Sequence, residues 1–217
     1  MQNQQKHILA VELPAPCPLA CAFCRTPDHG VGDAEQVFAA ISARLSQGGY
    51  GELYLTSNGE TGRSPIFRET VTLAQRLGVP VAVLCATEDS IVPGLVRAEV
   101  SVNKFTAALS GPAIAKAKKL GIPLVVSAVD VGHGARDAET LAKEHGADGA
   151  LIRALQNEGR SRKNAGTTRI WKRAGVELGA FPAAAYAELR EIAEEGWAVT
   201  CLNPFGTKVG LLGGAVA

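Results

Sequence analysis

A chain of 217 residues with 47% hydrophobic content can bury a full core in a single domain. Its 22 Lys and Arg against 21 Asp and Glu leave almost no net charge, so composition gives no footprint for nucleic acid or an acidic partner, and any charge preference must be local. The polar start, Met1 to His7, leads into only a few apolar residues, and no run approaches the roughly 18 apolar residues of a membrane helix, which predicts a cytoplasmic protein without a signal peptide.

Taken in chain order, short β-branched runs recur at Ile8–Leu13, Leu53–Ser57, Pro80–Cys85, Ala98–Val102, Leu124–Val129 and Asp148–Ile152. Each reads as a buried strand of a parallel sheet. Helical patterns lie between them. Asp33 is placed to cap a helix through about Gln47, with Val37, Phe38, Ile41 and Leu45 on one face. Pro65 opens a helix to Leu77, and Glu88–Val96, Pro112–Leu120 and Ala135–His145 repeat the form. "LGVP" (77–80) and "LGIP" (120–123) are near-identical helix-to-strand junctions. A further helix, Ala183–Glu195, and a strand, Ala198–Leu202, precede a Gly-rich tail. The expected fold is α/β, a partial (β/α)6 TIM-type barrel with parallel strands, since eight such units usually need about 250 residues. No low-complexity linker divides the chain, so residues 1–217 read as one domain, with an extension on the substrate side from about residue 156.

Three of the five cysteines fall in "PAPCPLACAFC" (14–24), as Cys17, Cys21 and Cys24 spaced C-x3-C-x2-C. They follow the first strand and so occupy the C-terminal edge of the sheet, where parallel α/β folds bind ligands. Five cysteines at uneven spacing do not form a disulfide framework, which leaves metal binding or catalysis. Three thiolates can hold three irons of a cubane cluster and leave the fourth iron open. The other reading is a zinc-binding α/β domain with a structural three-cysteine site, to which His29 could add a fourth ligand. Cys85 and Cys201 stand singly in apolar runs and read as core residues.

With an aromatic just before its last cysteine, the motif resembles that of the radical S-adenosylmethionine enzymes, and the likeness extends in strand order over about residues 8–155. The resemblance implies a [4Fe–4S] cluster on the three cysteines, whose open iron binds the amino and carboxylate groups of S-adenosylmethionine. One electron, from a donor such as flavodoxin or ferredoxin, then cleaves the cofactor to methionine and a 5′-deoxyadenosyl radical that abstracts hydrogen from the substrate. It also implies cofactor-binding residues. Phe23 would lie against the adenine. Asn58-Gly59-Glu60 stands where the family has a Gly-Gly-Glu motif facing the methionine amino group, with Asn58 in place of the first glycine. Ser101, Asn103 and Lys104 end the fourth strand where relatives meet the ribose and carboxylate, and Ser127 on the fifth strand approaches the adenosine.

Alternation puts Ser101 and Asn103 on one face with Glu99, which makes that face polar inside a sheet. Residues 153–173 hold seven Lys and Arg against Glu158 alone. Arg153 at the end of the sixth strand calls for an anion, either the cofactor carboxylate, the substrate or a neighbouring acid. Arg160 and Arg162, joined by Lys208 of the tail, read as a loop closing over a small anionic substrate. A solvated basic loop is the plainer alternative. After Cys24, Pro27-Asp28 is also similar to the run found in glycyl-radical-enzyme activases, whose substrate is a polypeptide.

Overall fold

A computed structural model describes residues 7–21, 24, 29–103, 106–130, 138–154, 172–174, 198–206 and 208–212. Its centre is a sheet in the order β7-β6-β5-β4-β3-β2-β1-β8-β9. The strands are β1 (His7–Leu13), β2 (Glu52–Ser57), β3 (Val81–Cys85), β4 (Arg97–Ser101), β5 (Leu124–Asp130), β6 (Gly149–Ala154), β7 (Lys172–Ala174), β8 (Ala198–Leu202) and β9 (Lys208–Leu212). The first six run parallel in chain order, as consecutive βα units require, and β8 joins β1 in parallel. β7 and β9 close the two edges antiparallel. The architecture is an open α/β sheet of the partial (β/α)6 TIM type.

Four α-helices are described: α1 (Ala34–Gln47), α2 (Phe67–Arg76), α3 (Ala107–Lys119) and α4 (Ala138–His145). Asp33 caps α1, its carboxylate accepting the Gln36 N–H at 2.9 Å. The helices cover one face of the sheet. There Val11, Leu13, Leu55, Val83, Val100 and Val126 pack against Val37, Ile41, Phe67 and Ala117 in one core. The repeated junctions have a common cause. Gly78 and Gly121 adopt positive φ, +69° and +65°, so that the Val79 and Ile122 N–H groups bond back to Ala74 and Ala117. That is a glycine C-cap made twice from one sequence pattern.

Two expectations need correction. Glu88–Val96 is not an α-helix: Glu88–Ser90 makes one 3-10 turn, and a turn at Pro93-Gly94, with Gly94 at φ +82°, leads to β4. Pro93 lacks the N–H a second turn needs, and Ile91, Val92 and Leu95 are buried from an irregular segment instead of a helix. Helix α3 starts at Ala107 rather than at Pro112, and tolerates the proline inside. The sequence also hid β9 in the Gly-rich tail and β7 in the basic stretch, where Lys172–Ala174 forms an edge strand. Ala183–Glu195 lies outside the described residues.

Candidate active site

The cysteine loop is built by prolines. Pro14, Pro16 and Pro18 alternate with Ala15 and Cys17, which keeps the chain extended past the end of β1 and removes every second N–H donor. The extended segment lies along the loop after β2. The Ala15 N–H donates to Asn58 Oδ1 at 3.0 Å, and the Glu60 N–H donates to the Pro16 carbonyl at 3.0 Å. Between these bonds Gly59 touches the Ala15 backbone so closely that a Cβ there would overlap the Ala15 oxygen. The join admits only glycine.

Cys17, Cys21 and Cys24 are all half-buried, and no disulfide joins any of the five cysteines. The Cys24 N–H bonds the Cys21 carbonyl at 3.2 Å, which folds the end of the motif into a turn. Burial pushes the Cys17 thiol up, and the nearby Glu60 and Cys24 push it in the same direction. Among the described residues no three His, Cys, Asp or Glu side chains converge to hold a single metal ion. A cubane asks for no such convergence, because each thiolate binds a different iron. Three adjacent, accessible thiols on one loop fit that donor set. Cys85 and Cys201 are buried thiols; burial pushes both up, Cys201 to about 11, and Glu60 and Glu99 nearby push Cys85 in the same direction.

Asn58 and Glu60 serve the loops themselves. The Asn58 side chain, 5% exposed, also donates to the Val31 carbonyl at 2.6 Å. The Glu60 carboxylate accepts from the Ala86 N–H at 2.9 Å, the Thr87 N–H at 3.2 Å and the Ser90 hydroxyl at 2.6 Å. It is 2% exposed, and burial raises its pKa despite these bonds. It therefore fastens the β2 loop to the β3 loop.

On the face of the sheet away from the helices, Ser101 at the end of β4 is the register partner of Ser127 in the middle of β5. Ser127 is buried, while half-buried Ser101 accepts from Asn103 Nδ2 at 3.3 Å. Asn103 also takes the Thr106 N–H on Oδ1 at 3.2 Å, just before α3. Glu99 is fully buried and accepts from the Tyr54 hydroxyl at 3.5 Å. Tyr54 is a polar partner that sequence reasoning missed, since it lies on a different strand and within an otherwise apolar run. Deeper in, Arg97 grips Glu52 in a forked pair at 2.7 and 3.2 Å.

Arg153 lies near the C-terminal end of β6 and Lys208 at the start of β9, beside Leu202 at the end of β8, so their backbones stand on opposite flanks of the cysteine loop's edge. Phe23, Lys104, Arg160 and Arg162 lie outside the described residues. His29, which the sequence offered only as a zinc ligand, is brought against the site: its Nδ1 is 2.6 Å from the Asn58 carbonyl and its Nε2 is 3.9 Å from Cys24 Sγ.

No protein-family model matches the chain, and no curated protein matches it. Solved structures share its fold. The Streptococcus suis protein SuiB bound to S-adenosylmethionine superposes with a TM-score of 0.60 at 12% identity, over 93% of this chain and 59% of that one. SuiB bound to the precursor peptide SuiA gives 0.54 at 13% identity over 88% and 45%. The protein anSMEcpe, with AdoMet and the peptide Cp18Cys, gives 0.51 at 13% identity over 69% and 51%. This chain thus spans about half the length of the structures it resembles. Among the described residues no helix is long and apolar enough to cross a membrane.

Proposed function

We propose that the chain is a radical S-adenosylmethionine enzyme. The observation that carries the reading is the cysteine loop itself: three half-buried thiols at the C-terminal edge of a partial barrel, braced by the β2 loop. The shared fold with SuiB and anSMEcpe, both solved with S-adenosylmethionine bound, supports it. Cys17, Cys21 and Cys24 would hold a [4Fe–4S] cluster. When bound, the cluster supplies the electron that splits the cofactor into methionine and a 5′-deoxyadenosyl radical. The chain's own part is to hold and orient the cofactor. The loop 58–60 borders the methionine end, Ser101, Asn103 and Ser127 offer polar groups to the adenosine, and Phe23 and Lys104 complete the set in this proposal.

For the substrate we favour a small anionic molecule, taken by Arg153, Arg160, Arg162 and Lys208; the flanking positions of Arg153 and Lys208 support this. A peptide substrate is the second reading. It is favoured by the peptides seen in SuiB and in anSMEcpe, which share the fold. Replacing Arg160 and Arg162 by alanine separates the two. A raised KM for a small anion with cofactor cleavage intact supports the first reading, and turnover of a peptide unaffected by the change supports the second. The activity itself is tested at the thiols. Cys17→Ala, Cys21→Ala and Cys24→Ala should each abolish iron binding and cofactor cleavage, while Cys85→Ala and Cys201→Ala keep both. Iron lost from either of the latter would overturn the ligand assignment.

A further inference from the structure

We propose that Asn58 and His29 are positioning residues that preorganise the cysteine loop before any metal arrives. Asn58 makes four hydrogen bonds to this loop and the end of β1 that leads into it. Its N–H donates to the Leu13 carbonyl at 3.1 Å, and Oδ1 accepts from Ala15. Nδ2 donates to the Val31 carbonyl, and the Asn58 carbonyl accepts from His29 Nδ1. Ala15 and Val31 lie on either side of the three cysteines, so one side chain on β2's loop ties the two ends together. A glycine there would keep the two backbone bonds and lose the two side-chain bonds. The asparagine in place of the resemblance's first glycine thus has a structural role beyond any contact with the cofactor.

His29 carries the fix to the last thiol. A carbonyl can only accept, so Nδ1 bears the proton, and the ring is locked with Nε2 toward Cys24 Sγ. Closing a long loop costs entropy that metal binding would otherwise have to meet. Here the fold meets it in advance.

The inference rests on the proposed function only for what the loop carries, and it is tested first in metal-free, reduced protein. Hydrogen exchange by NMR reads the Ala15 amide, bonded to Asn58, and the Cys24 amide, bonded to Cys21. A long-range proton–nitrogen spectrum reads the His29 tautomer. Wild type should show the Nδ1–H form. Asn58→Gly should speed Ala15 exchange roughly tenfold, as loss of one hydrogen bond allows, with Val126 in the core strand unchanged. His29→Ala, which leaves the sheet untouched, should speed Cys24 exchange, and His29→Gln, which restores an N–H donor, should recover it. After reconstitution with iron and sulfide, His29→Ala should keep its iron but show a broadened electron paramagnetic resonance spectrum. Unchanged Ala15 exchange in Asn58→Gly would overturn the inference, as would wild-type Cys24 exchange and spectrum in His29→Ala. If wild type binds no cluster, the proposed function fails while the exchange data still judge the latch.

Discussion

Substitution of Gly59 by alanine tests the join between the cysteine loop and β2. Gly59 does not have positive φ, so an alanine meets no dihedral strain. Its Cβ instead overlaps the Ala15 oxygen and falls 2.7 Å from the Ala15 carbonyl carbon and 2.9 Å from the Pro16 carbonyl carbon. These are backbone atoms and cannot swing aside as a flexible side chain would. The loops must part, which breaks the Ala15 to Asn58 and Glu60 to Pro16 bonds, both at 3.0 Å. Two hydrogen bonds at about 1 kcal/mol each and an overpacking cost of about 1–3 kcal/mol predict a total loss of roughly 3–5 kcal/mol. Urea unfolding of the metal-free protein, followed by circular dichroism, measures it as a lower midpoint at unchanged slope. A variant within about 0.5 kcal/mol of wild type, the usual range for an innocuous surface change, would refute the reasoning.

The buried Arg97–Glu52 pair should behave asymmetrically. Glu52→Leu or Arg97→Met alone leaves a buried charge without its partner and should cost about 3–5 kcal/mol, whereas the double variant recovers most of the loss; additive losses in the cycle would contradict this. Glu60 predicts a pH dependence. Its pKa is raised by burial, so the folded state binds the proton more tightly than the unfolded one. Its contribution is complete below the ordinary value of 4.5 and is lost as pH rises through the raised folded value. The stability of wild type relative to Glu60→Gln should therefore be greatest at low pH and shrink as pH rises, and a gap that widens with pH would reverse the sign.

The strands were legible because their outer face must pack against helices on every βα unit, which writes Val, Leu and Ile into each run. Junctions such as Leu77-Gly78-Val79-Pro80 were legible because a positive-φ cap calls for glycine. The stretch after Glu88 misled because its polar and apolar residues suit a helix until Pro93 removes a donor. β9 was invisible because Lys208–Leu212 is nearly all apolar and borders glycines, so nothing in it alternates. At the site, the cysteine spacing is local and could be read directly. The partners of Asn58, Glu60 and Tyr54 are not local: Asn58 meets Ala15 and Val31, Glu60 meets the β3 loop, and Tyr54 meets Glu99. Only the register of the sheet brings these together, and one sequence carries no record of it.

The most direct measurement is anaerobic reconstitution of the purified chain with iron and sulfide, then addition of dithionite and S-adenosylmethionine and chromatography for 5′-deoxyadenosine. The account predicts about four irons per chain, as one cubane requires, and 5′-deoxyadenosine that is absent from Cys17→Ala. Tightly held zinc with no 5′-deoxyadenosine would contradict it and make the three cysteines a structural site.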